Sequence, residues 1–196
     1  MPGGRRYDSA NCMVNTEERK GGWICTYTGK RFYPLDPRLE EIDINDIIHA
    51  LSNLSRFAGH ATSFYSVAQH CVLVSLVCDP QDALWGLLHD ASEAYLIDVP
   101  SPLKKCPEFD FYRVAEKGLM DVICDKFGLS HDEPPSVKLA DKKVLATEAR
   151  DLTMTEGRGW ATEAEPLEFH IKPWTPEVAR VKFVSRLHEL MLKRAA

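Results

Sequence analysis

From Asp43 onward the apolar residues of this chain recur at intervals of three and four, a period that leaves little room for any architecture but packed helices. Ile44, Ile47, Ile48, Leu51 and Leu54 share one face of a segment that Asp43 can cap. Ser66-Val67-Ala68-Gln69 has the form of a capping box, so a second helix is expected to begin at Ser66, with Val67, Cys71, Val74 and Cys78 inside. Asp79-Pro80 reads as an N-cap followed by proline at the first helical position. The third helix then carries Ala83, Leu84, Leu87, Leu88 and Ala91 inward and runs to about Leu96, before a proline loop over 97–107. A fourth helix spans roughly 108–127 and stops at Gly128; a fifth follows Pro134-Pro135 with Val137, Val144, Leu145 and Leu152 inside. Residues 155–174 form a long irregular segment with two tryptophans. The last helix starts at Thr175-Pro176, its inner stripe read as Val178, Val181, Leu187 and Met191.

Ahead of the helices, Trp23 to Tyr33 holds two short β-prone runs around Thr28-Gly29-Lys30, the pattern of a small hairpin. Residues 1–22 are polar and read as a flexible arm. The fold class expected is therefore all-α with a minor N-terminal hairpin, in one domain over 23–196, as the 196-residue length allows. With 24 Lys and Arg against 29 Asp and Glu, the net charge is −5, a poor match to a nucleic-acid or anionic-membrane coat. No run approaches the roughly 20 apolar residues of a membrane span. The six cysteines show no CxxC pair or zinc-finger spacing. A reduced, cytoplasmic protein is the expectation, with no nucleic-acid or membrane partner.

The informative residues are polar ones at positions that the helical period assigns to the core. His70 lies between Val67, Cys71 and Val74; His89 and Asp90 follow Leu87-Leu88; Asp141 shares the Val137, Val144, Leu145 and Glu148 face. Any one of them reads as a hydrogen-bonded core residue or half of an ion pair. Together they place an ordered H…HD…D set on three inner helix faces. Buried carboxylates need cations or strong donors, and a divalent metal held by imidazoles and carboxylates meets that need. The mixed N/O set suits Zn, Mn, Fe or Co.

On these residues, and on SRFAGH, FYSVAQH, LWGLLHDASEAYLIDVPSPLK and KLADKKVLATEARDL, the stretch from about Asp43 to Asp151 resembles the HD-domain metal-dependent phosphohydrolases. It is similar to the bacterial 5′-deoxynucleotidases and closer to the phage dATP triphosphohydrolases. The resemblance implies an HD-type helical bundle with His70, His89, Asp90 and Asp141 as ligands of a divalent ion: Zn, Co or Mn, with Mg as a further option. It implies Glu93 as the carboxylate beside the attacking water and Asp98 as a second acidic group near the scissile bond. Arg56 is implied as a phosphate contact, Phe57 as a base-stacking ring where relatives often carry Trp, and Lys104 as a further phosphate contact. Lys105, Lys142 and Lys143 read better as solvated surface groups.

The activity implied is hydrolysis of a deoxynucleotide at the α-phosphorus, with a dNTP, dATP above all, as substrate and deoxynucleoside and triphosphate as products. The alternative enzyme is a 5′-deoxynucleotidase acting on dNMPs; a hydrolase of cyclic or signalling nucleotides has no accessory motif here. The non-enzyme alternative is a nucleotide-binding regulatory module, against which the complete H…HD…D set and Glu93 argue. By the same resemblance the chain is expected to form a homo-oligomer, a dimer or hexamer, in the bacterial or phage-infected host cytoplasm.

Overall fold

The computed structural model describes residues 19–160 and 162–195. It is mostly helical, with one two-stranded antiparallel sheet near the start. β1 (Ile24–Cys25) pairs with β2 (Arg31–Phe32) in the register Ile24 to Phe32 and Cys25 to Arg31. The turn between them docks on the first helix, because Asp46 accepts from Thr28 N at 2.7 Å and from Thr28 Oγ1 at 2.9 Å.

Among the described residues eight α-helices follow: α1 (Ile44–Asn53), α2 (Val67–Val77), α3 (Ala83–Leu88), α4 (Glu93–Leu96), α5 (Ser101–Lys104), α6 (Asp110–Phe127), α7 (Pro135–Leu152) and α8 (Pro176–Ala195). Two predicted caps form, whereas Asp79 makes no side-chain cap bond and precedes a tight turn at Pro80–Asp82 instead of α3 itself. Asp43 accepts from Asn45 N, and Ser66 accepts from Gln69 N. Gly128 ends α6 in the left-handed conformation at φ 61°, which glycine adopts without steric cost. α2 is the central helix, packed against α1, α3, α7 and α8. Val67, Cys71, Val74, Leu87, Leu88, Val137 and Val144 form the core, as expected. At Gly86 a Cβ would meet Cys78 Sγ at 2.9 Å and Ser75 Cα at 3.2 Å, so the missing side chain lets α3 lie close on α2.

Three expectations are corrected. The third helix does not run unbroken to Leu96. After Leu88 the backbone tightens to three-residue bonds, Ala91 N to Leu88 O and Glu93 N to Asp90 O, and regular helix resumes only in α4. The proline loop over 97–107 contains the short helix α5, and a tight turn at Pro107–Phe109 leads from it into α6. Lastly, α8 buries a different stripe. Val178, Val181 and Met191 are exposed, Leu187 is half-buried, and Ala179, Phe183 and Leu190 face the core. Both stripes have a helical period; the buried one places small Ala179 and large Phe183 where α1 and α2 receive them.

Most of the expected N-terminal arm, residues 1–18, lies outside the described residues, as does Cys12. Its end is anchored: Arg19 donates to Asp36 at 2.5 Å and to Glu41 at 2.7 Å. Cys25, Cys71, Cys78, Cys106 and Cys124 are free thiols. Among the described residues, no helix is long and apolar enough to cross a membrane.

Candidate metal centre

His70 is wholly buried near the start of α2, and Glu148, equally buried on α7, faces its Nδ1 at 2.7 Å. A carboxylate only accepts, so Nδ1 carries a proton, and Nε2 is the nitrogen that faces the cluster. His89 repeats the device at the end of α3. Its Nδ1 donates to the Gly86 carbonyl at 2.9 Å, which turns its Nε2 to the same point. The two Nε2 atoms stand 3.1 Å apart. Two lone pairs at that distance repel unless a cation, a proton or a metal ion, lies between them.

Asp90 completes the cluster. Its Oδ2 is 3.3 Å from His89 Nε2 and 3.6 Å from His70 Nε2, and all three ligand atoms lie within 4.8 Å of one another. Metal bonds of about 2.0–2.2 Å put neighbouring ligand atoms roughly 3.0–3.5 Å apart, so the spacing fits one shared ion. Asp141, projecting from α7, reaches His70 Nε2 at 3.1 Å but stands outside the tight triad. The tightening after Leu88 matters here, because it sets His89 and Asp90 side by side at the end of α3 facing His70.

The charges explain how this cluster is tolerated. Burial and the Arg56 cation lower the His70 pKa, yet Glu148 and Asp141 overcome both and hold it up at about 10. Against burial, the two histidines and Arg56 keep Asp90 below the ordinary carboxylate range. Glu148 is likewise held low by Arg56 and His70 despite its complete burial.

Arg56 reaches the centre from a loop closed at its base, where Ser55 bridges Ser66 and Arg56 N donates to Tyr65 O at 2.9 Å. Its guanidinium pairs with Glu148 at 3.1 Å and Asp90 at 3.5 Å, while Nε is buried without a partner. The expected phosphate contact is thus also the internal counter-ion of two carboxylates. Phe57 follows with φ 56°, in the left-handed region, and its ring lies 5.5 Å from the Arg56 guanidinium carbon.

Glu93, the first residue of α4, is buried and outside the ligand triad. One oxygen accepts from Lys104 at 3.3 Å and the other has no partner. Burial, reinforced by Asp90 and Asp98, pushes its pKa well above the carboxylate range. Lys104 also donates to Glu116 at 2.7 Å, so it bridges two carboxylates. Ile97, between Glu93 and Asp98, sits at φ 70°, an outlier for a β-branched residue. That reversal brings Asp98 within electrostatic reach of both Glu93 and Arg56. Lys105, with Ser101, Lys104 and Arg113, lines an open basic depression of about 470 Å³; Lys142 pairs with Glu163 at 2.5 Å.

Two residues here were not assigned a role from the sequence. Glu148 stood on the inner face of the fifth helix beside Asp141, and its burial was the available signal. Glu133, in the loop before α7, feels the charges of His89, Asp141 and Asp90 while burial raises its pKa; no pattern in the sequence marks it.

No family model matches the chain. The uncharacterized protein YfdR of Escherichia coli (strain K12) is 43% identical to it over 171 residues, which cover 86% of this chain and 95% of that protein. A second uncharacterized protein, from Rhodobacter capsulatus, is 31% identical over 140 residues, covering 67% of this chain and 71% of that protein. Neither name carries an activity.

Proposed function

This chain belongs to the family of the Escherichia coli protein YfdR, and from its metal centre we propose a metal-dependent deoxynucleotide phosphohydrolase of the HD type. The reading rests on one observation above the others: two histidines that donate through Nδ1 turn their Nε2 atoms, 3.1 Å apart, to a common point beside Asp90, where a metal ion would displace the proton between them. His70, His89 and Asp90 would hold the ion, with Asp141 closing the set. Zn, Co and Mn suit two imidazoles and two carboxylates, and Mg is the less favoured option. Such an ion lowers the pKa of water and polarises a phosphoryl oxygen.

The substrate is a dNTP, with dATP preferred. Water attacks the α-phosphorus, the bond from phosphorus to the 5′-oxygen breaks, and triphosphate and deoxynucleoside leave. Glu93 lies beside the triad without being part of it, where it orients the water and exchanges a proton with it. Asp98 relays a proton to the departing 5′-oxygen. Arg56, its Nε free of protein partners, offers a planar donor to a phosphoryl oxygen. Lys104 and Lys105 supply positive charge at the depression beside Glu93.

The test is turnover of all dNTPs, dNMPs and rNTPs by protein loaded in turn with Mn, Co, Zn and Mg. Intact triphosphate released from dATP supports the reading. Orthophosphate from dAMP alone moves it to a 5′-deoxynucleotidase. Metal binding with no turnover of any nucleotide sinks the enzymatic reading and leaves the regulatory module.

A further inference from the structure

We propose that Trp160 is the second aromatic wall of the nucleotide pocket, forming with Phe57 a corner that receives the base; this rests on the phosphohydrolase reading. The two ring centres are 5.7 Å apart and their planes meet at 69°. A planar heterocycle lying on one ring therefore meets the other edge-on, the arrangement aromatic groups favour. The corner adjoins the catalytic centre through a single side chain. Arg56 contacts the Phe57 ring on one side and pairs with Asp90 on the other.

The backbone on both sides of the corner is unusual. Phe57, Ala58 and Gly59 have φ of 56°, 49° and 82° in succession, so two non-glycine residues are held left-handed to deliver the Phe57 ring. Such conformations persist only where surrounding structure enforces them, and they gather at ligand sites. Trp160 ends a run of turns with Glu156, Gly157 and Gly159 also at positive φ, and its N–H donates to Gly157 O at 3.0 Å. Gly157 packs on α7, where a Cβ would meet Ala149 at 3.3 Å. Three residues beyond the tryptophan, Glu163 pairs with Lys142, next to Asp141. The turn is thus packed on α7 through Gly157, yet Trp160 is 42% exposed. An indole left open beside the Phe57 ring, itself in contact with the Arg56 guanidinium, is suited to stacking.

Binding of the two reaction products isolates the base from the phosphates. Mn-loaded wild-type protein, Trp160→Ala and Trp160→Leu are titrated by calorimetry with deoxyadenosine and, separately, with inorganic triphosphate. Both variants are expected to bind deoxyadenosine about 5- to 100-fold more weakly, the range for losing one stacked ring, while triphosphate affinity and metal content stay unchanged. Unchanged deoxyadenosine affinity in both variants overturns the proposal. So does recovery of affinity in Trp160→Leu, which would make the ring a mere apolar plug. Equal weakening for both products also overturns it, as a sign that the whole site has collapsed. A wild-type protein that binds neither product and hydrolyses no nucleotide removes the parent reading instead. Turnover by a wild type whose base affinity ignores Trp160 removes only this inference.

Discussion

Glu148 faces His70 Nδ1 at 2.7 Å, and that contact determines which ring nitrogen is left for a metal ion. The same carboxylate holds Arg56 at 3.1 Å, so one buried group on α7 orients both the proposed ligand His70 and its neighbouring cation. Carboxylate partners of this kind typically change metal affinity when removed, because they fix the tautomer and raise ligand basicity.

Glu148→Gln, which keeps the shape but not the charge, is expected to weaken Mn or Zn binding about 10- to 100-fold. Glu148→Ala is expected to destabilise the fold by about 3–5 kcal/mol, since Arg56 is left buried with less compensation. Calorimetric metal titration checks the first and urea unfolding the second. Wild-type metal affinity in Glu148→Gln would detach Glu148 from the centre.

The triad makes its own prediction. His70→Ala, His89→Ala and Asp90→Ala should each remove bound metal, whereas Asp141→Ala, which stands outside the tight cluster, should retain weaker binding. Elemental analysis of the purified variants reads this directly. Full metal content in His89→Ala would reject the site.

Glu93 separates chemistry from metal binding. Glu93→Ala should keep its metal yet lose roughly 10²–10⁴ in kcat, the range for general acid–base assistance. Metal lost together with activity would make it a ligand, and unchanged turnover would make it a bystander.

Gly86 tests how His89 is placed. Gly86→Ala puts a methyl group 2.9 Å from Cys78 Sγ and 3.2 Å from Ser75 Cα. Overpacking of this kind costs about 1–3 kcal/mol and would push α3 away from α2, weakening metal binding as well. A melting temperature equal to wild type would show that the two helices part without strain.

Asp151 fastens the chain at His170 and Ile171 to the end of α7. It accepts from Ile171 N at 2.7 Å and pairs with Arg150 at 2.7 Å and His170 at 3.0 Å. Burial raises its pKa, but these partners outweigh it and bring the value down to about 2. A depressed folded-state pKa stabilises above the unfolded value, near 3.8, and that stabilisation disappears as pH falls through about 2. Asp151→Asn is therefore expected to lose about 2 kcal/mol at pH 7, with the gap to wild type closing between pH 4 and pH 2. Urea titrations of both proteins across that range test it, and a gap independent of pH would contradict the linkage.

Helix positions, caps and most of the core followed from the sequence, because period and capping chemistry act within a few residues. Ser66 and Gln69 specify the start of α2 wherever it ends up, and His70 stood out because its neighbours at Val67, Cys71 and Val74 are apolar. What lay beyond the sequence depends on partners distant along the chain. Glu148 became the orienter of His70 only once α7 packed on α2, 78 residues away in sequence. Two apolar stripes of α8 had equal claim to the core, and the surfaces of α1 and α2 chose Ala179, Phe183 and Leu190. Arg56 read as a phosphate contact; folding also gave it Glu148 and Asp90 as counter-ions. Phe57 and Trp160 meet across 103 residues through two turns that hold Phe57, Ala58 and Glu156 at positive φ, which their own propensity disfavours. Local hydrogen bonding and hydrophobic period are written in adjacent residues, whereas a site made of charges and ring faces exists only after long-range packing brings them within a few ångströms.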